Sequence, residues 1–235
     1  MDQANEIGEK TMLIAEVFES IQGEGPFAGT PSMFVRTSGC NLRCSFCDTP
    51  YTSWNPEGTK YDWEEIATLI AAGTMPHVLL TGGEPMLVAE LEPLSRACEA
   101  LGRVVTVETA GTVFREMHCD LMCISPKMSN SVPEDDSWRE RHEQTRFNSK
   151  VIGQLRDAYD CHFKFVIDTK SDVSEVSDYV SELSIESEKV WLMPQATTRE
   201  ELAAKVDWVQ QLASESGFQF SSRLHIEEFG NARGK

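Results

Sequence analysis

The sequence has no run of about 18 apolar residues, the length that reads as a membrane-spanning helix. Its start, with Asp2, Glu6 and Glu9, lacks the basic-then-apolar order of a secretory leader. No membrane contact and a cytoplasmic location are therefore expected. Positive charge is also scarce: 21 Lys and Arg stand against 38 Asp and Glu, for a formal net charge of −17. Such a chain repels polyanions, so a nucleic-acid partner is not expected and a small molecule is. Internal repeats, low-complexity tracts and long flexible linkers are missing, which predicts one domain over 1–235. The seven cysteines are an odd number, and in a reducing compartment they point to thiols or metal ligands before disulfides.

What the chain does contain is alternation. Apolar runs rich in β-branched and aromatic residues are followed by longer segments of helical period, the pattern of an α/β fold with βα units around a parallel sheet or barrel. The runs predict strands at 12–21, 32–37, 77–81, 103–108, 120–125, 162–167, 189–193 and 219–226, and helices near 62–73, 88–101, 172–184 and 198–215. In the first helix Asp62 can cap, Glu65 lies three residues on, Trp63, Ile66 and Ile70 share a face, and Gly73 can end it. The polar stretch 128–160, with Pro133, the acidic run Glu134 to Asp136 and then Trp138 to His142, reads as an insertion made of a surface loop followed by a helix.

Nearly every distinctive polar cluster follows a predicted strand: Thr81 to Pro85, Glu108 to Thr112, Ser125 to Lys127, Met193 to Gln195, and His225. In barrels and open parallel sheets the carboxyl ends of the strands form the ligand-binding face, so these clusters are expected to converge. Taken singly, each is an ordinary strand-to-helix turn.

Cys40, Cys44 and Cys47 put three thiols within eight residues, on a loop after a predicted strand. A 4Fe–4S cluster takes four ligands when saturated, so three thiolates leave one iron open. A tetrahedral zinc site using the same thiols with His118, Cys119 or Cys123 is the competing metal reading, although closed zinc sites usually draw their ligands as two close pairs. Of the other cysteines, Cys98 on a helix and Cys123 in an apolar strand read as buried thiols, and Cys119 and Cys161 precede strands.

The C-x3-C-x2-C spacing resembles the signature of the radical S-adenosylmethionine (SAM) superfamily, whose open iron takes the amino and carboxylate groups of SAM. Ser20 to Gly25, Phe34-Val35-Arg36, Gly39 to Cys44 and Cys47-Asp48-Thr49 narrow the resemblance to the 7-carboxy-7-deazaguanine synthases. Matches continue through Lys164-Phe165-Val166, Leu192 to Gln195, Arg223 with His225 and Gly230 to Gly234, so the resemblance spans roughly residues 12 to 234. It implies a partial (incomplete) TIM-type barrel. It also implies a lyase of queuosine and 7-deazapurine biosynthesis that converts 6-carboxy-5,6,7,8-tetrahydropterin to 7-carboxy-7-deazaguanine with loss of ammonia.

By the same resemblance Cys40, Cys44 and Cys47 hold the 4Fe–4S cluster and Thr49 offers its hydroxyl to Mg2+. Phe46, Cys47, Asp48, Gly83, Glu84, Glu108, Ser125, Pro126, Lys127, Met193, Pro194 and Gln195 fall at SAM positions. Ile21, Gln22, Gly23, Glu24, Arg36, Thr81 and His225 fall at substrate positions. No side chain is assigned the chemistry itself, which the cluster and SAM carry. An electron donor such as a flavodoxin and a homodimer are implied too. In place of the family's Glu-Thr-Asn-Gly-Thr this chain has Ala110, and the family's C-terminal carboxylate contact is not carried over to Lys235. Two other readings stand beside this one. A radical SAM glycyl-radical activase shares the cysteine spacing but not Gln22 to Gly25 or Asp48-Thr49, and a non-enzymatic zinc- or cluster-binding regulator would need only the thiols.

Overall fold

The computed structural model describes residues 11–235, so the N-terminal pattern of Asp2, Glu6 and Glu9 lies outside the described residues. The chain runs β1 (Thr11–Ile21), β2 (Pro31–Thr37), α1 (Pro50–Ser53), β3 (Thr59–Asp62), α2 (Trp63–Ala72), β4 (His77–Gly82), α3 (Leu91–Ala100), β5 (Val104–Thr109) and β6 (Leu121–Ile124). It continues with α4 (Asp136–Thr145), α5 (Ser149–Ala158), β7 (Cys161–Ile167), α6 (Asp172–Leu183), β8 (Val190–Pro194), α7 (Arg199–Ser216), β9 (Gln219–Phe220) and α8 (Leu224–Phe229). Caps place the helices where the sequence predicts them: Asp62 with Glu65 and Thr198 with Glu201 form capping boxes on α2 and α7.

The nine strands of the described residues form one sheet in the order β3-β1-β2-β4-β5-β6-β7-β8-β9. β1 pairs antiparallel with β2 and β3, and every pair from β2–β4 to β8–β9 is parallel. The two ends, β3 and β9, do not pair with each other, so the sheet is an open, incomplete barrel.

Strand alternation divides the sheet into two faces. Val35, Val78, Leu80, Val105, Val107, Phe163, Phe165, Ile167, Val190 and Leu192 join Ile66, Ile70, Leu94, Leu155, Val176 and Val209 from the helices in one apolar core. The alternate positions Phe34, Arg36, Thr81, Glu108, Lys164 and Val166 line a cavity on the other face. No helix among the described residues is long and apolar enough to cross a membrane.

Three sequence expectations change. The strand predicted at 219–226 is only Gln219–Phe220, followed by α8. The two-residue spacing of Leu224 and Ile226 imitates a strand, but Ile226 packs as a helical residue against Ala196 and Leu202. β3 was not predicted, because its sequence Thr-Lys-Tyr-Asp is short and polar; it is held by antiparallel pairing of Thr11–Ile14 with Thr59–Asp62. Within 128–160 the structure has two helices, α4 and α5, each with its own cap, from Asp135 and Asn148.

Candidate active site

A cavity of about 470 Å3 is walled by the ends of the parallel strands, the cysteine loop, the turn after β1 and residues 231–235. That volume suits a small molecule with its cofactor. The turn between β1 and β2 crosses to the opposite side of the open sheet: the Gly25 N–H donates to Ser221 Oγ at 2.8 Å, and the Leu224 N–H donates to the Gly23 carbonyl at 3.0 Å.

The cysteine loop is fixed at several points. The Gly39 N–H donates to the Thr52 carbonyl at 2.8 Å, the Glu84 N–H donates to the Gly39 carbonyl at 2.9 Å, and Trp54 Nε1 donates to the Cys44 carbonyl at 3.2 Å. Cys40, Cys44 and Cys47 are free thiols, and all three line the cavity. Burial pushes the Cys40 thiol up to about 11 and the Cys44 thiol up to about 12, so both stay protonated until a metal displaces the proton. Cys47 Sγ lies 3.2 Å from Ser53 Oγ and 3.9 Å from Thr49 Oγ1.

Among the described residues, the only set of three or more His, Cys, Asp or Glu with ligand atoms all within 4.8 Å of one another is Glu24, Asp48 and His225. The carboxylates of this trio are already bridged by a cation, since Arg223 donates to Glu24 Oε1 at 3.0 Å through Nε and to Asp48 through its other amino group.

Glu24 is the centre of a buried ionic network. Lys164 Nζ pairs with Glu24 and with Glu108, the latter at 3.3 Å. Gln22 Nε2 donates to Glu108 Oε1 at 3.2 Å, and Thr81 Oγ1 donates to Glu108 Oε2 at 3.0 Å. Burial alone would raise the Glu24 pKa, but Lys164, then Arg223 and His225, outweigh it and hold the carboxyl well below the usual carboxylate range. The same contest leaves Asp48 lowered, with Arg223 overcoming burial. Burial would lower Lys164, yet Glu108 and Glu24 hold it firmly protonated. His225 goes the other way, lowered by burial despite Glu24. Arg36 sits at the rim, donating through Nε to Glu16 Oε2 at 2.9 Å, and Tyr51 Oη donates to the same oxygen at 2.8 Å.

Two glycines are required by close approach. A Cβ on Gly83 would lie 2.2 Å from the Gly39 carbonyl oxygen, and one on Gly23 would lie 2.1 Å from His225 Nδ1.

The cavity gathers most of the residues singled out from sequence. Ile21, Gln22, Gly23, Glu24, Arg36, Thr81 and His225 line it, as do Phe46, Asp48, Thr49, Gly83, Glu108, Ser125, Lys127, Met193 and Gln195. Three do not. Pro126 and Pro194 are buried away from it. Glu84 is fully buried with both oxygens occupied: the Thr109 hydroxyl donates at 2.7 Å, and the Ala110 and Met86 N–H groups at 2.9 and 3.1 Å. It ties two strand-end turns together and does not face the cavity. His225 does line the site, from α8 and not from a strand.

Sequence reasoning assigned no role to Lys164, Arg223, Glu16 or Tyr51, all of which line the cavity. Lys164 had a signal in strand alternation, because it shares its face of β7 with Val166 while Phe163 and Phe165 go to the core. Arg223 had none, since its partners lie 199 and 175 residues away.

An open βα barrel with three free thiols at its mouth, beside a glycine-lined recess, defines a radical SAM enzyme, and the model of the Radical SAM superfamily matches residues 34–130. A 7-carboxy-7-deazaguanine synthase of Rhodopirellula baltica is 43% identical over 230 residues, covering 96% of this chain and 90% of that protein. One from Halobacterium salinarum is 41% identical over 245 residues, covering 98% and 95%. The chain belongs to the 7-carboxy-7-deazaguanine synthase family. Its fold is similar to the crystal structure of QueE from Escherichia coli, with TM-score 0.68 at 21% identity, covering 93% of this chain and all of that one.

Proposed function

We propose that this chain converts 6-carboxy-5,6,7,8-tetrahydropterin to 7-carboxy-7-deazaguanine with loss of ammonia, as a radical SAM lyase of 7-deazapurine and queuosine biosynthesis. Membership of the family supports the reaction, and one observation ties it to this site: three free thiols share a cavity with anionic Glu24, with Glu108 and with Arg36. A pterin presents an amino and ring N–H edge that carboxylates and the Gln22 amide can pair, and a carboxylate that suits a guanidinium fork. A radical SAM glycyl-radical activase would not need this small polar recess.

Cys40, Cys44 and Cys47 are the proposed cluster ligands, and Gly83, which lines the same cavity, is the proposed contact for the methionine end of SAM. Phe46, Asp48, Ser125, Lys127, Met193 and Gln195 complete that side of the wall. When bound, the cluster and SAM supply hydrogen-atom abstraction. The chain's own part is placement. Lys164 and Arg223 hold Glu24 anionic and oriented, Glu108 holds Gln22 and Thr81, and Glu16 holds Arg36. A site assembled before the substrate arrives loses little to reorganisation.

Thr49 is the proposed protein ligand for Mg2+, a hard cation that keeps several waters. Its hydroxyl lines the cavity and accepts from Thr52 Oγ1 at 3.3 Å. A reducing electron donor such as a flavodoxin, a homodimeric assembly and a cytoplasmic setting that keeps the seven thiols free belong to the same reading.

The test is anaerobic reconstitution with iron and sulfide, reduction, and incubation with SAM, magnesium and 6-carboxytetrahydropterin. Formation of 7-carboxy-7-deazaguanine, followed by mass, is expected. SAM cleavage with no deazaguanine would remove the substrate assignment, and a colourless protein holding stoichiometric zinc would remove the radical one.

A further inference from the structure

The segment before and within α4 has no place in the family's chemistry as read so far, yet it grips the cysteine loop. α4 is polar along its length and buries a single residue, His142, which is 0% exposed. A histidine at that depth must satisfy both ring nitrogens. Its Nδ1 accepts from the Arg43 N–H at 3.2 Å, and its Nε2 lies 3.0 Å from Ser131 Oγ. The Ser131 hydroxyl has one hydrogen, given to the Met128 carbonyl at 2.6 Å, so Nε2 is the donor to Ser131 and Nδ1 carries the lone pair that Arg43 meets. The tautomer is thereby set by the chain itself.

Two further bonds run the same way. The Ser45 N–H donates to the Ser131 carbonyl at 3.0 Å and Ser45 Oγ donates to the Asn130 carbonyl at 3.2 Å. The peptide N–H groups on either side of Cys44 are therefore both committed to this segment. Hydrogen bonds to cluster sulfurs tune the potential of an iron–sulfur centre, and backbone N–H groups in the ligand loop are the usual donors. In this loop those two donate to His142 and to the Ser131 carbonyl instead.

We propose that His142, with Ser131 behind it, is a positioning residue for the iron–sulfur cluster. It fixes the backbone on both sides of Cys44, so that this thiol is presented in one geometry and the flanking N–H groups are kept off the cluster. The inference rests on Cys40, Cys44 and Cys47 being the cluster ligands. Its chemistry needs a hydrogen-bond acceptor at the Nδ1 position, which Asn can supply with its side-chain oxygen and Leu cannot.

The test compares His142→Leu, His142→Asn and the unchanged chain after reconstitution. It follows cluster iron lost to a chelator and the electron paramagnetic resonance spectrum of the reduced cluster, together with thermal unfolding of the cluster-free chain. His142→Leu is expected to lose iron about tenfold faster and to change the spectrum, while His142→Asn stays within about twofold and keeps it. Equal loss in both variants would make His142 a packing residue and overturn the proposal, as would an unchanged rate and spectrum in His142→Leu. Should His142→Leu fail to fold, Ser131→Ala, which removes the partner of Nε2, carries the comparison; a rate unchanged from the parent then overturns the proposal. Cys44→Ala separates the two levels. If that variant still assembles a full cluster, the ligand assignment itself fails, whereas its loss of cluster beside an unaffected His142→Leu removes only the positioning role.

Discussion

Arg223 meets Glu24 at 3.0 Å across 199 residues of sequence, joining the last helix to the first turn at the centre of the cavity. The guanidinium side chain is 6% exposed and also pairs with Asp48, next to the Cys47 thiol. Removing it leaves Asp48 without the cation it pairs with and Glu24 with Lys164 alone, and breaking a buried pair in this way costs about 3–5 kcal/mol. Arg223→Met should lower the stability of the cluster-free chain by that order in urea titration. Arg223→Lys keeps charge but not the fork, and should fall between the two. A cost near zero for Arg223→Met would show that the network is solvated.

Lys164 is the second cation of the network, shared by Glu24 and Glu108. Lys164→Met should reduce kcat/KM for the pterin by about 100-fold or more, the loss expected when a buried, hydrogen-bonded charge is removed at about 2–5 kcal/mol. SAM affinity should fall less, because of the two carboxylates that Lys164 pairs with, Glu24 stands at a proposed substrate position and only Glu108 at a proposed SAM position. Equal damage to both ligands would contradict this division.

The two crowded glycines separate the two halves of the site. In Gly23→Ala the new methyl collides with the His225 ring, which can swing aside, so folding and iron content should survive while the pterin KM rises at least about tenfold. In Gly83→Ala the methyl meets the Gly39 carbonyl, which is backbone of the cysteine loop and cannot yield without moving it. Iron content after reconstitution should fall in that variant, and a full cluster there would sink the prediction.

Acid should unfold the cluster-free chain in two ranges. His77, His142, His162 and His225 all have lowered pKa values, with burial as the main cause, and His142 falls to about 4. The unfolded chain binds protons on these groups near 6.5 while the folded chain does not, so stability declines as pH drops below about 6.5. Glu24 and Asp48 are lowered as carboxylates, so what they contribute is present above about 4 and is lost as pH falls further. Calorimetry from pH 7.5 to 3 should show a falling midpoint through both ranges. His142→Asn should flatten the upper range, and an unaltered slope there would exclude His142 as a contributor.

The parallel strands were legible because their runs are rich in β-branched and aromatic residues, and the helices because Asp62, Glu65, Thr198 and Glu201 mark their starts. The thiol loop and the strand-end clusters were legible as types of residue at a spacing. What local pattern could not reveal was direction. Glu84 looks like a cavity residue from its place after β4, but it turns inward to bond Thr109 and Ala110. His225 was misplaced because Leu224 and Ile226 fit a two-residue period as well as a helical one. The role of 128–160 was invisible, since the one residue that matters most for packing α4 is a histidine in a run of charged and polar neighbours.

The alternation of the central strands carries a consequence for redesign. Side chains that set the hydrophobic packing and side chains that face the ligand occupy interleaved positions one residue apart, as with Phe165 between Lys164 and Val166. A library confined to Arg36, Thr81, Glu108 and Lys164 would vary what the cavity accepts while leaving the packed layer untouched. Mutations one position to either side would instead be filtered out by folding before any selectivity could be read.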